Sequence, residues 1–249
     1  MSRGGVVLIT GGGSGIGAGL AGAFHARRAK VILAGRTASR LEAVAARHPG
    51  MMVEVVDVAD FAEVEALARR VAERAPDLDT VVNNAGIQHV LDFASGTPLD
   101  AAAIGREIDV NLKGVVQVAN AFLPLLRRQP AARLVNVGSG LGYVSLAAAP
   151  IYSATKAAVH SFTISLRRQL RGTTVQVVEL IPPVVETDLH RDQARRPPRA
   201  MALDAFTTAA MQGLDRGQEE IAVGLAKVLR TGSRIAPGLF LGIVNKQRV

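Results

Sequence analysis

Short apolar runs alternate with segments of helical periodicity from the first residues of this chain onward, and that alternation restricts the fold more than any other feature. Val6–Thr10 and residues 31–34, 51–56, 80–83, 133–137 and 174–181 read as strands. Residues 16–29, 41–48, 61–75, 99–128 and 154–171 read as the helices between them. Pro49-Gly50, Pro76 and Pro130 supply helix stops. Strands separated by helices imply βαβ units and a parallel sheet, with right-handed crossovers that cover both faces. The composition agrees. Of 249 residues 49% are hydrophobic, but only 4% are aromatic and Trp is absent, so the core must be Ala, Val, Leu and Ile. No repeat or linker interrupts the pattern, and a single domain over 1–249 is expected.

Between the first strand and the first helix lies Thr10-Gly11-Gly12-Gly13-Ser14-Gly15-Ile16-Gly17. Glycines here permit a tight turn and let the backbone approach a pyrophosphate. The helix start then offers unpaired N–H groups and the positive end of its dipole. This context predicts a Rossmann-type, doubly wound parallel α/β sheet of about seven strands. Gly11, Gly13, Ser14, Gly15 and Ile16 are expected to cradle phosphate, and Gly17 to allow close packing of helix on strand.

Further motifs follow. Asn83-Asn84-Ala85-Gly86 closes the fourth strand, Asn111 lies in the long helix, Ser139 follows the fifth strand, and Tyr152-Ser153-Ala154-Thr155-Lys156 opens the next helix. Ile181-Pro182-Pro183-Val184-Val185-Glu186-Thr187 follows the sixth strand. Taken one at a time, these residues have ordinary readings: a packing tyrosine, a solvated lysine, a buried amide and a turn serine. Taken together, over residues 10 to 187, they resemble the short-chain dehydrogenase/reductase (SDR) family.

Chemistry explains the residue types. Tyr152 and Lys156 are one helical turn apart and share a face. A nearby ammonium favours the phenolate, bringing a phenol towards general acid–base use. Ser139 would hydrogen-bond the substrate oxygen. The resemblance implies that Asn111 holds a water linking Lys156 to solvent and that Lys156 also binds the nicotinamide ribose. It implies hydride transfer between NADP(H) or NAD(H) and a ketone, aldehyde or secondary alcohol. The cofactor would lie along Gly11–Gly17, Asp57, Val58, Asn83, Ala85, Gly86, Tyr152, Lys156, Pro182, Val185 and Thr187.

The end of the second strand bears on which nicotinamide is bound. An acidic residue there holds the ribose 2′-hydroxyl of NAD. This chain has Gly35-Arg36-Thr37 instead, with Arg40 nearby. Arg36 suits a 2′-phosphate, so NADP(H) is expected. If Arg36 only stacks on the adenine, NAD(H) is admitted too.

The chain departs from the resemblance at Pro183, where the family has Gly, and at Gly138, where Ser is common. It departs again in an apolar, helical C-terminus of about 225–249, with helices at 225–230 and 237–245 after a short strand at 220–223. This leaves a homodimer or a homotetramer open. Residues 186–212 are expected to form a substrate lid, with a plain surface loop as the alternative. Substrate contacts are expected from Gln88, His89, Leu141, Val144 and Leu189, with Tyr143, Leu146 and His190 as further candidates. Most are neutral, which points to a largely uncharged substrate.

Other classes are weaker. There is no Cys, which excludes disulfides, thiolate metal sites and a cysteine nucleophile, and no metal is expected. The net charge of +8 comes from scattered Arg pairs near helix ends, where cations complement the dipole, so a nucleic-acid partner is not expected. The opening apolar run is too short for a signal peptide, and no run reaches a membrane span, so a cytoplasmic protein is expected. A non-catalytic NADP(H)-binding regulator remains the alternative function.

Overall fold

In a computed structural model, which describes residues 4–190 and 200–246, seven parallel strands form one sheet flanked by helices. The strands are β1 (Val6–Thr10), β2 (Lys30–Gly35), β3 (Met52–Val55), β4 (Leu78–Asn83), β5 (Ala132–Val137), β6 (Val175–Ile181) and β7 (Glu220–Ala222). Their order is β3-β2-β1-β4-β5-β6-β7, so the winding reverses between β1 and β4. In open α/β sheets ligands bind at the carboxyl end of such a reversal.

The helices are α1 (Gly15–Ala26), α2 (Ala38–Ala45), α3 (Phe61–Arg74), α4 (Ala101–Ile108), α5 (Gly114–Leu126), α6 (Pro150–Gln169), α7 (Leu203–Asp215), α8 (Leu225–Ile235) and α9 (Pro237–Asn245). Two cores result, one on each face of the sheet. Leu8, Ile32, Val81, Phe122 and Leu134 lie in one. Ile9, Phe24, Leu33, Val178 and Phe206 lie in the other. Successive residues of each strand point to opposite faces, so a continuous apolar run feeds both cores. Among the described residues no helix is long and apolar enough to cross a membrane.

Three elements differ from the sequence reading. The helix expected over 99–128 is two helices joined by a π-helical turn, Asp109–Lys113, closed by the Gly114 N–H bonding back to the Asp109 carbonyl. Helix α6 begins at Pro150 rather than at 154, because proline is pre-set for the first helical position, and Tyr152 therefore sits in its first turn. The segment expected as a lid over 186–212 takes in most of α7, whose Phe206, Ala210, Met211 and Leu214 are buried against the α1 side of the sheet. Residues 191–199 of that segment lie outside the described residues. The helical C-terminus is α8 and α9, which pack together through Phe240 against the bare face of Gly232.

Candidate active site

The carboxyl ends of β1 and β4 are tied together before any ligand is considered. The Thr10 hydroxyl donates to the Val82 carbonyl and accepts from the Asn84 and Ala85 amides. Asn84 Nδ2 donates to the Thr10 and Gly11 carbonyls at 2.9 and 3.2 Å. The glycine turn is thus held from beneath. Gly11 and Gly15 have φ of +65° and +51°, which side chains with a Cβ rarely adopt. A Cβ on Gly17 would lie 2.3 Å from the Gly11 carbonyl oxygen. Gly17→Ala should therefore cost about 1–3 kcal/mol. At roughly 2–4 °C per kcal/mol for a chain of this size, a thermal melt reads the loss directly. An unchanged melting temperature would remove the packing role given to Gly17.

A cleft of about 510 Å³ opens above this turn. Gly11, Gly13, Ser14, Gly15, Ile16, Arg36, Ala85, Gly86, Ser139, Tyr152, Lys156, Pro182, Val185 and Thr187 all line it, as do Gln88, His89, Leu141 and Leu189. The sequence-chosen residues thus converge from six separate stretches of chain. Several do not reach it. Asn83 is buried on the other face of β4, where its Nδ2 donates to Asn136 Oδ1 and the Val115 carbonyl. Its neighbour Asn84 faces the glycine turn instead, a distinction that strand alternation could have drawn. Val58 is buried against Gly114, Gly17 supports the turn from behind, and Val144 is buried away from the cleft. Tyr143 turns its hydroxyl towards His160. The side chain of His190 lies outside the described residues. Asp57 pairs with Arg106, which itself lines the cleft. Burial alone would raise the Asp57 carboxyl, but the Ala59 amide and the Arg106 guanidinium outweigh it and hold it below its usual range.

Sequence reasoning also missed residues. Arg106, Val184, Asp188 and Leu229 line the cleft, the last from α8. Glu107 is fully buried, and its Oε2 lies 3.1 Å from His89 Nδ1. Burial raises its carboxyl despite that bond. Its apolar neighbours in α4 gave no signal of this.

At the centre, Tyr152 and Lys156 are both buried. Lys156 Nζ donates to the Val137 carbonyl at 2.8 Å and lies 5.6 Å from the centroid of the Tyr152 ring. Burial pushes the phenol up to about 12, the Ser139 hydroxyl lowers it, and Glu107 raises it further. Burial is the largest influence on the phenol, and Nζ bonds the main chain rather than the Tyr152 hydroxyl. Burial also brings Lys156 down to about 8, against an opposing pull from Glu179. Ser139 Oγ accepts from the Leu141 amide at 3.1 Å, which leaves its own proton free to donate. Asn111 lies in the π turn, a type of distortion frequent at functional sites. Its Oδ1 accepts from the Ile87 amide, and its Nδ2 donates to the Ile87 carbonyl and Thr155 Oγ1. A Cβ on Gly86 would stand 3.4 Å from Asn111 Oδ1 and 3.8 Å from Lys156 Nζ, so glycine leaves a gap between them.

The family model for short chain dehydrogenases matches residues 5–197. An uncharacterized oxidoreductase of Bacillus subtilis strain 168, DltE, is 39% identical over 92% of this chain and 91% of its own length. A short chain dehydrogenase from Burkholderia cenocepacia J2315, solved in complex with NADP, superposes with a TM-score of 0.85 at 27% identity, covering 97% of this chain and 98% of that one. A short-chain dehydrogenase from Sphingobium yanoikuyae, solved with NADPH, gives 0.80 at 30% identity over 94% of each. The chain belongs to the short-chain dehydrogenase family and is an oxidoreductase of that class.

Proposed function

We propose that this protein transfers hydride between NADP(H) and a ketone, an aldehyde or the corresponding alcohol, with Tyr152 as the proton donor and acceptor. The observation that carries the reading is the convergence of Ser139, Tyr152 and Lys156 with the glycine turn and Arg36 in one cleft.

The cleft fits a dinucleotide. The first amides of α1 have no partners within the helix and face a turn kept bare by Gly13, where a Cβ would sit 3.0 Å from Arg40 Cβ. Arg36, Thr37 and Arg40 line the end of the cleft at β2, a strand that ends in Gly35 and not in an acidic residue; the nearby Asp57 is paired with Arg106. Cations there favour a 2′-phosphate; similar structures hold NADP and NADPH and, in other cases, NAD and NADH, so the preference rests on these side chains. NAD(H) remains the second choice.

When bound, the nicotinamide supplies the hydride. Tyr152 Oη gives its proton to the carbonyl oxygen as negative charge develops there. A phenol held near 12 stays protonated across the working range, so the resting state is the acid needed for reduction. Ser139, oriented by the Leu141 amide, donates its hydroxyl proton to the same oxygen. Lys156 spends one of three donors on Val137, leaving two for the nicotinamide ribose and for proton return to Tyr152. Asn111, across the gap at Gly86, orders the water that supplies this proton. Gln88, His89, Leu141 and Leu189 contact the substrate.

Incubation with NADPH and then NADH across a panel of ketones and aldehydes, following cofactor absorbance, tests the reading. Turnover with NADPH on at least one carbonyl is expected. Tight cofactor binding without turnover of any would favour a regulator. A pH profile adds a further check. Burial disfavours the charged amine, so Lys156 loses its proton earlier than an exposed lysine, and kcat/KM for reduction should fall above about pH 8. A limb that holds to roughly pH 10, the ordinary lysine range, would remove the role given to Lys156.

A further inference from the structure

A polar seam runs behind the cleft, between α6 and the sheet, and it is not explained by cofactor or substrate binding. Lys156 and His160 are one turn apart on the same face of α6. His160 Nδ1 lies 2.6 Å from Glu179 Oε2 of β6, and Glu179 is 1% exposed. The other carboxylate oxygen, Oε1, has no hydrogen-bond partner among the described residues. It lies against Gly138, where a Cβ would meet it at 2.5 Å. A side chain there would push the carboxylate aside, so glycine leaves it room. The peptide joining Val137 to Gly138 carries the carbonyl that accepts from Lys156 Nζ. Glu179 and Lys156 thus flank one peptide in a water-excluded seam, where the low local dielectric strengthens the pull of a carboxylate on a nearby amine.

We propose that Glu179 is a positioning residue that keeps the Lys156 amine protonated, with His160 fixing its carboxylate and Gly138 making room for it. Burial alone favours the neutral form of a lysine, and a carboxylate across one peptide opposes this. The other titratable and charged groups around the seam are Tyr143 from the loop after β5, Glu220 of β7, and Arg230 and Arg234 of α8. Tyr143 holds its hydroxyl 3.3 Å from His160 Nδ1, and Arg230 is paired with Glu220. The bond to Glu179 raises His160, against burial. The proposal rests on the assignment of Lys156 above, but its test does not need turnover.

The chain has five lysines, so the protein labelled with 13C-lysine gives few Cε resonances, and Lys156→Met identifies the one at issue. In the unmodified protein the Lys156 titration midpoint is expected near 8. In Glu179→Gln it should fall by roughly one pH unit, while the other lysines stay put. Glu179→Asp retracts the carboxylate by one methylene and should give a smaller fall. It carries the test if thermal melting shows that the Gln variant does not fold. A midpoint that is unchanged or higher in a folded variant overturns the proposal. If the midpoint falls while Tyr152→Phe retains full turnover, this proposal stands and the role of Tyr152 fails. If the midpoint is unchanged while Tyr152→Phe is inactive, only this proposal fails.

Discussion

Tyr152→Phe should lower kcat for carbonyl reduction by about 10²–10⁴-fold, the usual contribution of a positioned proton donor. NADPH affinity should change little, because the ring stays in the first turn of α6 and only the hydroxyl is lost. The variant should also fold, since replacing a buried phenol by a phenyl group of the same shape leaves no cavity. The effect is large because nothing else in the cleft replaces that proton. Ser139 can donate a hydrogen bond but is a poor acid, and the Lys156 amine is bonded to Val137 and stands off the ring. Stopped-flow reduction at saturating NADPH measures the step. A variant that keeps full kcat contradicts the mechanism, and one that loses NADPH binding contradicts the division of labour.

The second large effect is expected at Arg36. A charge-assisted hydrogen bond contributes about 1.5–3 kcal/mol. At 1.4 kcal/mol per decade, losing it weakens binding by roughly tenfold to a hundredfold. Arg36→Asp also places a carboxylate where the 2′-phosphate would lie, so NADPH affinity should drop at least that far. NADH, with a hydroxyl at that position, should bind as well as before or better. Fluorescence titrations with each cofactor give the ratio directly. Equal losses for both would mean that Arg36 acts through the fold or the adenine, and the preference for NADP(H) would then rest on Arg40 and Thr37 alone.

The sheet was legible in the sequence because buried strands such as Val6–Thr10 are nearly continuous apolar runs, here bounded by Gly5 and Gly11. The cleft was legible because its residues flank strand ends at motif spacings, so the topology gathers Gly13, Ser139, Tyr152 and Lys156 without further information. What was missed has physical reasons. Helix α7 carries several small residues, three Ala among them, so its apolar stripe of Phe206, Ala210, Met211 and Leu214 is weak beside the polar segment before it. The π turn adds one residue to a helical pattern and leaves its period almost unchanged. The exchange of Asn83 for Asn84 turns on a single step of strand alternation. The pair of His160 and Glu179 joins residues on α6 and β6 that meet only after the crossover is folded, and Gly138 gives no sign in the sequence of the carboxylate that it accommodates.

The central claim is tested most directly by isotope. NADPH deuterated at its transferable position is incubated with the wild-type protein and a carbonyl that it reduces, and the product is analysed by mass spectrometry. The account predicts an alcohol with one deuterium on the carbinol carbon, formed in step with NADPH consumed, and almost none from Tyr152→Phe. An unlabelled alcohol, consumption of NADPH without alcohol, or an equal yield from Tyr152→Phe would contradict it.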